Sequence, residues 1–539
     1  MPNTFKQVID RMAWAQVSPA PNAAVTGQGF ACDLRNDVSR YPYAYQLVSN
    51  AILNRYNFIT KAWQLLSTTP LTAGTFGAGA AAAFIPSFAL VGTIAAGATT
   101  TAFTLSTALP TAVGANMLAN RGGSGLMGFK VRLIDTTAGK TEERNIVSNT
   151  AGTTPLITVD VAFSFTPAAG ARYEILSGRL FMLGSGTLAA GALRTFEIAT
   201  NAFANRSITN LPAALSTDSA IIVLDEQHVP FDHKPGEGMI KGAYDTDVGG
   251  GGRFAITATA IGASTITGRA SGGDAAVAAN EFRNFQIRIV EDTLTPAAVG
   301  QRRIIASHTA GPSPVYTLGT AWTTQPSASA KFVIEQPNLL ILRTTANTTT
   351  YTYNFTDATI NNGTASIAAD AWSTTYFGAA ANAMGAGAVW APSWGIQPDV
   401  QRNARHSFNF FFRGGNSSAL DLLDIAGATA GTWTAGVTYD GALFNFTTGT
   451  TGCPSPFANE GRYTYLNLYT ASAVNQIFRF DAKNRVLSPY TNPDFLMTGT
   501  AAVGQRMAAC AAIDGTDKFD CILFMAMASS VSQEMVPLI

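Results

Sequence analysis

The chain contains the same β-rich segment twice, and this duplication constrains the fold more than any other feature of the sequence. Residues 129–135 (FKVRLID) match residues 285–291 (FQIRIVE), and residues 144–175 match the stretch that begins 159 residues downstream. The first block repeats at a distance of 156, so the second copy has three added residues between the blocks. A repeat of this length indicates a folding unit that was duplicated whole. We call the two copies the first module and the second module.

Both modules alternate apolar and polar positions, which is the pattern of β-strands with one buried face. Helical periodicity is confined to residues 5–14, and a proline-containing extended segment follows it. Elsewhere, short β-branched and aromatic runs lie between clusters of Gly, Asn, Asp and Pro. The sequence therefore predicts an all-β protein built as a sandwich, a barrel or a propeller.

A second and weaker repeat lies outside the modules, as an aromatic or aliphatic run that ends in a polar turn. Its instances are residues 56–63, 196–203, 353–359, 422–433 and 478–484. When a module of about 85 residues is subtracted from each wide gap, the instances recur at roughly the period of a four-stranded propeller blade. With one further blade made from both ends of the chain, the spacing predicts a β-propeller of about six blades. Pairing of the two ends would remove free sheet edges.

Residues 408–433 resemble one blade of a Kelch propeller. They contain a strand, a turn at Gly414 and Gly415, a strand that carries Asp residues, and then Trp433. Glycines allow such a turn to adopt positive φ, and the tryptophan can pack between neighbouring blades. The resemblance implies a loosely Kelch-like propeller.

The two repeats divide the chain into six consecutive segments. We predict an N-terminal extended arm (1–40), the first part of the propeller (41–84), the first inserted module (85–178), the second part of the propeller (179–252), the second inserted module (253–337) and the remainder of the propeller (338–539). Each module ends just before a similar strand, at residues 180–183 and 339–342. Duplication of a blade together with its module is the simplest history.

Arginines occupy matching positions in the two modules, as Arg132 and Arg288, and as Arg144 and Arg303. Because successive side chains of a strand point to opposite faces, an arginine between β-branched neighbours is expected to point away from the core. We expect these four side chains to be solvated or to contact a partner. The modules are therefore the expected contact surface.

Trp390 and Trp394 are the remaining candidate contact residues. An exposed tryptophan can stack on a sugar ring, whereas a buried one packs between blades. Both interpretations stay open from the sequence.

Composition limits the partners that the chain can recognise. Charged residues make up 13% of the sequence, about half the usual share. The 34 Lys and Arg residues equal the 34 Asp and Glu residues, so no global charge attracts nucleic acid or an anionic membrane. A surface of low charge suits a protein that neighbours cover. The sequence shows no signal peptide and no membrane span, which predicts synthesis in a cytoplasm.

Residues 225–237 contain the densest group of His, Asp and Glu side chains, but two prolines predict a surface loop. We expect this loop to be polar surface, with an ion or partner site as the alternative. His308 aligns with Asn149 and is expected in a turn, and His406 is expected to be solvated.

The sequence lacks the motifs of a phosphate loop, a nucleophile elbow or a zinc protease. We therefore expect no catalytic, cofactor or metal site. The four cysteines form no CxxC pair and are expected to be buried thiols, with a Cys510–Cys521 disulfide as the alternative.

The phrases at residues 144–155 and 303–314, each followed by an alanine, an aromatic residue and a proline, are similar to β-domains of phage structural proteins. Tail nozzles of phages are often propellers, and sheath-like or collar-like subunits often carry added β-modules. The resemblance implies a non-enzymatic structural subunit of a tailed-phage virion, in the tail, neck or collar, made in the host cytoplasm. It would form a homo-oligomeric ring with other virion proteins.

Two alternatives stay open. One is a carbohydrate-binding or receptor-binding propeller that recognises a host surface. The other is a secreted glycoside hydrolase, which would have to rely on paired carboxylates.

Overall fold

The structure is a computed structural model. It describes residues 15–17, 21, 29–32, 43–48, 52–58, 60–67, 80–119, 129–215, 218–226, 254–270, 278–399, 404–441, 445–447, 450–454, 463–468, 476–482, 484–490, 506–511, 521–526 and 532–535. Within these ranges the only helical element is one 3-10 turn at Pro296–Ala298. The predicted all-β class is confirmed.

The strands are numbered along the chain. The first six are β1 (Ala15–Val17), β2 (Gly29–Cys32), β3 (Tyr43–Val48), β4 (Ile52–Asn57), β5 (Ala62–Ser67) and β6 (Ala81–Ile85). The first module contributes β7 (Leu90–Thr93), β8 (Ala102–Thr104), β9 (Lys130–Asp135), β10 (Lys140–Asn149), β11 (Leu156–Val159) and β12 (Arg172–Leu176). Between the modules lie β13 (Arg179–Leu183), β14 (Gly186–Thr187), β15 (Leu193–Glu197), β16 (Ala202–Asn205), β17 (Ala214–Leu215) and β18 (Ser219–Leu224).

The second module contributes β19 (Phe254–Ile261), β20 (Thr265–Ala270), β21 (Gln286–Glu291), β22 (Arg302–His308), β23 (Val315–Leu318) and β24 (Lys331–Glu335). Nine strands follow it: β25 (Leu339–Thr344), β26 (Tyr351–Asn354), β27 (Ile360–Asn361), β28 (Ser366–Ile367), β29 (Ala371–Ser373), β30 (Val389–Asp399), β31 (Ala404–Phe412), β32 (Leu420–Asp424) and β33 (Thr432–Thr434). The last eight are β34 (Asp440–Gly441), β35 (Thr451–Pro454), β36 (Tyr463–Leu468), β37 (Gln476–Asp481), β38 (Val486–Pro489), β39 (Arg506–Ala511), β40 (Cys521–Ala526) and β41 (Ser532–Met535).

Most strands outside the modules form separate four-stranded antiparallel sheets, which is the construction of a β-propeller. The five sheets are β2-β3-β4-β5, β6-β13-β15-β16, β18-β25-β26-β29, β30-β31-β32-β33 and β39-β40-β41-β1. A further sheet has the order β35-β36-β37-β38, with the short β34 added in parallel at its edge. The predicted propeller fold is confirmed.

The first strand of each sheet faces a common centre. In order, β2, β6, β18, β30, β35 and β39 each contact the next, and β39 contacts β2. Residues of all six strands line one central cavity of about 200 Å³. Small side chains such as Ala81 and Ala82 let these strands approach closely, and a Cβ on Gly29 would lie only 2.8 Å from that of Ala82.

The ends of the chain close the ring together, because β1 pairs antiparallel with β41 from Ala15 opposite Glu534 to Val17 opposite Ser532. This pairing was predicted. It also corrects the predicted extended arm of residues 1–40 at its two described strands, since β1 and β2 belong to propeller sheets. Backbone hydrogen bonds hold β1 against β41 and β2 against β3, so neither strand extends as an arm.

The two modules have one topology. In the second module the strands follow the order β19-β24-β21-β22-β23-β20, and β20 pairs with β19 to close a small barrel. In the first module the order is β7-β12-β9-β10-β11-β8, closed by an isolated bridge between Ile94 and Leu105. The internal duplication predicted from the sequence is therefore also a structural one.

One pair in the sequence alignment is shifted. The sequence repeat aligns Asp135 with Glu291, but Asp292 makes the hydrogen bonds equivalent to those of Asp135. In both residues Oδ1 accepts a backbone N–H of the following turn. Oδ2 accepts the backbone N–H of Ala168 in the first module and of Ser327 in the second. The cause is a register shift between Ile289 and Glu291 where β21 pairs with β24. A bulge adds one residue to a strand, so every later position of that strand is offset by one in the alignment.

The modules differ in how they attach to the propeller. Ile287 and Phe332 of the second module belong to one apolar cluster with Ile341 and Phe411 of the propeller. Burying each such side chain contributes about 1.5–3 kcal/mol. The core of the first module includes Ala199 of the propeller, and Ile134 is the module's contribution to the shared cluster. The first module therefore depends on other contacts to hold its position.

One of those contacts is a direct joint between the modules, which merges their strands into one twelve-stranded sheet. Lys140 of β10 lies opposite Glu291 of β21. Beside this pair, the backbone N–H of Asp292 donates to the carbonyl of Gly139 over 2.8 Å. Gly139 has φ +67°, and a Cβ there would lie 2.3 Å from the Asp292 carbonyl oxygen. Only glycine allows the two backbones to come this close.

We expect Gly139→Ala to destabilise the protein by about 1–3 kcal/mol more than Gly170→Ala. Gly170 is the matched control, because its φ is also positive (+83°) but nothing lies within 4 Å of a Cβ placed there. Both variants share the left-handed strain of about 1–2 kcal/mol, and only the first disturbs the joint. Urea unfolding measures the difference, and equal losses of stability would contradict the close contact.

Candidate functional site

The densest group of charged side chains is buried where both modules leave the propeller. We call it the junction cluster, and its members are Ser87, Arg132, Glu143, Glu174, Asp225, Glu226, Gln286, Arg288, Arg302, Glu335 and Asn338. Nearly all are buried. Ionised side chains in such a position are stable only when they are paired with opposite charges and hydrogen bonds.

Arg132 is the fully buried cation on the first-module side. Its Nη2 lies 2.5 Å from Glu143, and its Nη1 lies 2.8 Å from Glu174 and 2.6 Å from Glu226. Strand register produces the first two contacts, because Arg132 of β9 lies opposite Glu143 of β10 on one side and Glu174 of β12 on the other. Glu226, the second residue after the propeller strand β18, brings the third carboxylate.

Glu226 is the point at which all three parts meet. Its Oε2 accepts hydrogen bonds from Gln286 of the second module (3.1 Å) and from Asn338 at the return to the propeller (3.3 Å). Arg302 of the second module lies 3.6 Å from Oε2 as well, and 3.1 Å from Glu174 of the first. One carboxylate therefore binds the first module, the second module and the propeller at once.

Arg288 completes the second-module side. Its Nε and Nη2 donate to the two oxygens of Glu335 over 2.9 and 3.1 Å. This bidentate geometry fixes the direction of both side chains as well as their distance. The buried Arg132 and Arg288 and the partly buried Arg302 thus face four glutamates. The half-exposed Arg172, 3.2 Å from Glu174, supplies the fourth positive charge.

The two connections that lead into the modules are also bound to each other. The backbone N–H and the hydroxyl of Ser87, before the first module, both donate to Oδ2 of Asp225, before the second, over 2.9 and 2.7 Å. The backbone N–H of Glu226 donates to Asn338 over 2.9 Å. The entrances of both modules and the exit of the second are therefore held in one place.

The electrostatics of the cluster favour permanent ion pairs. Burial alone would raise the pKa of the Glu174 carboxyl, but the guanidiniums of Arg302, Arg132 and Arg172 outweigh it and lower that pKa to about 2. Burial also disfavours the charged form of Arg132, yet Glu226, Glu143 and Glu174 raise its pKa above the usual value. A general acid has to carry a proton near the working pH. Glu174 instead stays ionised and serves as an anchor.

The expectation that Arg132 and Arg288 are solvated or contact a partner is wrong, because both are fully buried inside the chain. Arg132 does point out of the core of its own module, as strand alternation predicts. The second module and the propeller cover that outer face.

Arg144 and Arg303 have equivalent places outside the cluster. Each donates from Nε to the carbonyl of the alanine that precedes an aromatic residue. Each guanidinium then lies over that aromatic ring, 5.2 Å from the Phe163 centroid or 5.3 Å from the Trp322 centroid. Arg144 is buried and Arg303 is half-buried. Both arginines therefore stabilise the segment that contains this alanine and aromatic residue, and neither extends freely into solvent.

Trp390 is buried against its own blade, in an apolar cluster that also contains Ile341 of the neighbouring sheet. It is 5% exposed, and its ring lies 4.6 Å from that of Phe411 and 5.9 Å from that of Trp433. A tryptophan buried in this way offers no face to a sugar, which corrects its prediction as a contact residue. The side chain of Trp394 lies outside the described residues.

The predicted surface loop at residues 225–237 is wrong for its first two residues, since Asp225 and Glu226 are buried in the junction cluster. Residues 227–237 lie outside the described part of the chain. His308 ends β22 and is buried, where its Nε2 accepts the backbone N–H of Phe282. Asn149 accepts from Leu118 in the same way. The side chain of His406 lies outside the described residues.

Cys32 and Cys453 are buried free thiols, while the Cys510–Cys521 disulfide stays a prediction because those side chains lie outside the described part. Among the described residues, no three His, Cys, Asp or Glu side chains converge as metal ligands. No helix in that part of the chain is long and apolar enough to cross a membrane.

Sequence reasoning missed Glu143, Glu174 and Glu226. A signal for the first two exists, because strand alternation places Glu143 and Glu174 on the same face of the sheet as Arg132. Opposite charges on neighbouring strands of one sheet face predict ion pairs. No local signal points to Glu226, which reaches the cluster through the tertiary fold alone.

Comparison with known proteins gives no family. No protein-family model matches the chain, and no curated protein matches it. Among solved structures, Sqt1 of Saccharomyces cerevisiae is 9% identical, with 97% of this chain and 99% of that chain covered and a TM-score of 0.30. The C-terminal WD40 domain of Sif2 is 7% identical, with 98% and 99% covered and a TM-score of 0.27. At such scores the similarities carry no argument, and the fold rests on the strand pairing described above.

We expect Arg132→Met to reduce the free energy of unfolding by about 3–5 kcal/mol, because it leaves buried carboxylates without their partner. Arg194→Met is the matched control, since Arg194 makes an exposed hydrogen bond to Asn205 and its loss should cost no more than about 0.5 kcal/mol. Urea unfolding measures both. Similar effects of the two substitutions would contradict the role given to the cluster.

Acid should weaken the cluster through Glu174. Its pKa is lowered from 4.5 to about 2 in the folded chain, so its stabilising contribution is complete above pH 4.5 and is lost as the pH falls toward 2. The stability difference between the wild type and Glu174→Gln should therefore be largest near pH 6 and shrink below pH 4.5. Denaturant unfolding at several pH values measures it, and a difference independent of pH would contradict this assignment.

Proposed function

We propose that this chain is a structural subunit of a tailed-phage virion, in the tail, neck or collar, and that it assembles into a homo-oligomeric ring. The observation that carries the proposal is the junction cluster, which ties two projecting modules rigidly to a propeller. A rigid hub with fixed projections suits a protein that must present contact faces at set angles. The proposal contains no catalytic step.

We further infer that the propeller has six blades and that each module is inserted into one of them. Counting the β35-β36-β37-β38 sheet as a blade gives six, in agreement with the six innermost strands around the central cavity. The first module falls between β6 and β13, and the second between β18 and β25. Both pairs are first and second strands of a sheet, which supports duplication of a blade together with its module.

The first module offers the assembly surface in this proposal. Val147, Leu156 and Val161 are 50%, 41% and 59% exposed on it. In the second module the position equivalent to Val147 is Ala306, and a Cβ on the propeller's Gly363 would lie 3.1 Å from it. The propeller thus covers this face in the second module, whereas the same face of the first module is exposed to solvent. Larger apolar side chains on the open face support contact with a neighbouring subunit.

A carbohydrate-binding or receptor-binding propeller on a cell or virion surface remains the second candidate, but Trp390 no longer supports it. A secreted glycoside hydrolase is the third. Binding on a glycan array, or turnover of a polysaccharide, would favour one of these over the structural role.

We expect the purified protein to form a ring of defined mass in light scattering, and to occur in phage particles by mass spectrometry. Val147→Lys together with Val161→Lys should shift the ring toward monomers, because two charges would be desolvated in the contact. Leu65→Lys is the control, since Leu65 is 51% exposed on the propeller strand β5. A wild-type monomer that is absent from particles would contradict the proposal.

A further inference from the structure

A second charged site lies beside the junction cluster, in an open cavity of about 270 Å³ between the modules and the propeller. Its floor contains Phe88 from the connection into the first module. Arg179 and Arg206 of the propeller form one wall, and Tyr353 and Asp370 lie nearby. The cavity opens to solvent, since Asp370 is 42% exposed.

Phe88 holds the two arginines side by side. The guanidinium carbon of Arg179 lies 4.1 Å from the centroid of the Phe88 ring, and that of Arg206 lies 4.8 Å from it. Cation–π contact fixes the position of each guanidinium without using its N–H donors. The donors therefore remain available for another group.

The two guanidiniums are only partly neutralised. Arg179 donates from Nε to Glu197 over 2.9 Å, and Arg206 donates from Nε to the Thr195 hydroxyl over 3.2 Å. The nearest carboxylate to Nη1 of Arg206 is Asp370 at 3.9 Å, beyond hydrogen-bonding distance. Among the described residues, the terminal nitrogens of both arginines have no hydrogen-bond acceptor.

The pKa of Arg179 also reflects the excess of positive charge at this wall. Burial lowers the pKa of Arg179, Glu197 opposes this, and the neighbouring Arg206 lowers it further. Asp370 is partly occupied by the Tyr353 hydroxyl, which donates to it. The other arginines around the cavity are already paired, Arg172 with Asp357 at 2.7 Å and Arg302 with the junction cluster.

We propose that this cavity binds an oxyanion, a carboxylate or phosphate group of a small molecule or of a partner, between Arg179 and Arg206. Two guanidiniums held together with free N–H groups match the paired oxygens of such a group. The cavity is large enough for the anion together with part of the molecule that carries it. Glu174, Glu226 and Asp357 also line the cavity, but each is paired with an arginine of the modules. Asp370 is the lining carboxylate beside Arg206, and it competes with the bound anion.

The test uses the full chain, with inorganic phosphate and acetate as probes, followed by calorimetric titration and thermal shift at constant ionic strength. Arg206→Gln should weaken binding of the preferred probe about 10- to 100-fold, since it removes charge-assisted hydrogen bonds. Arg194→Gln, an arginine of the neighbouring strand with an exposed partner, should leave binding unchanged.

Asp370→Asn should act in the opposite direction and tighten binding about tenfold, because the competing charge is lost. Asparagine keeps an oxygen to accept the Tyr353 hydroxyl and tolerates the φ of +52° found at this position. Binding of phosphate alone, or of acetate alone, would identify the group. Absence of binding by both probes, or binding that Arg206→Gln and Asp370→Asn leave unchanged, would overturn the proposal without bearing on ring assembly.

Discussion

A guanidinium that is removed from water is stable only while carboxylates surround it, and in this protein the carboxylates around Arg132 come from different parts of the chain. Glu143 and Glu174 belong to the first module, whereas Glu226 follows a propeller strand. Because breaking such a buried pair is costly, the first module cannot turn away from the propeller without exposing unpaired charges. These ion pairs therefore help to fix its orientation, beside its apolar contact with Ala199 of the propeller.

The duplication explains why the pairs are placed where they are. The two copies lie beside each other and against the propeller, so the outward arginine of each copy is buried instead of solvated. In the first copy Arg132 pairs with Glu226 of the propeller, whereas in the second Arg288 pairs with Glu335 of its own module. A buried ion pair is stable only at short distance and in good geometry. These contacts therefore favour one orientation of the modules over other orientations that apolar packing alone would allow. The second module adds a core continuous with the propeller.

Much of the fold could be predicted from the sequence because its information is local. Strand alternation, the repeat and its spacing all follow from neighbouring residues, and they predict the modules and the propeller. The arm predicted for residues 1–40 was wrong at β1 and β2, because these strands are short and lack a strong pattern of their own. Arg132 was assigned to the correct face of its strand, but alternation cannot say what covers that face. The site was missed for that reason, since Glu226 reaches it only through tertiary packing.

Hydrogen exchange of the intact chain, followed by mass spectrometry, tests most directly whether the junction cluster makes the modules and the propeller one rigid body. Backbone amides of β9 and β12 in the first module should exchange as slowly as those of β13 in the propeller, through one shared opening reaction. Exchange of the first module as a separate and faster unit would contradict the account, because its orientation would then be independent of the buried ion pairs.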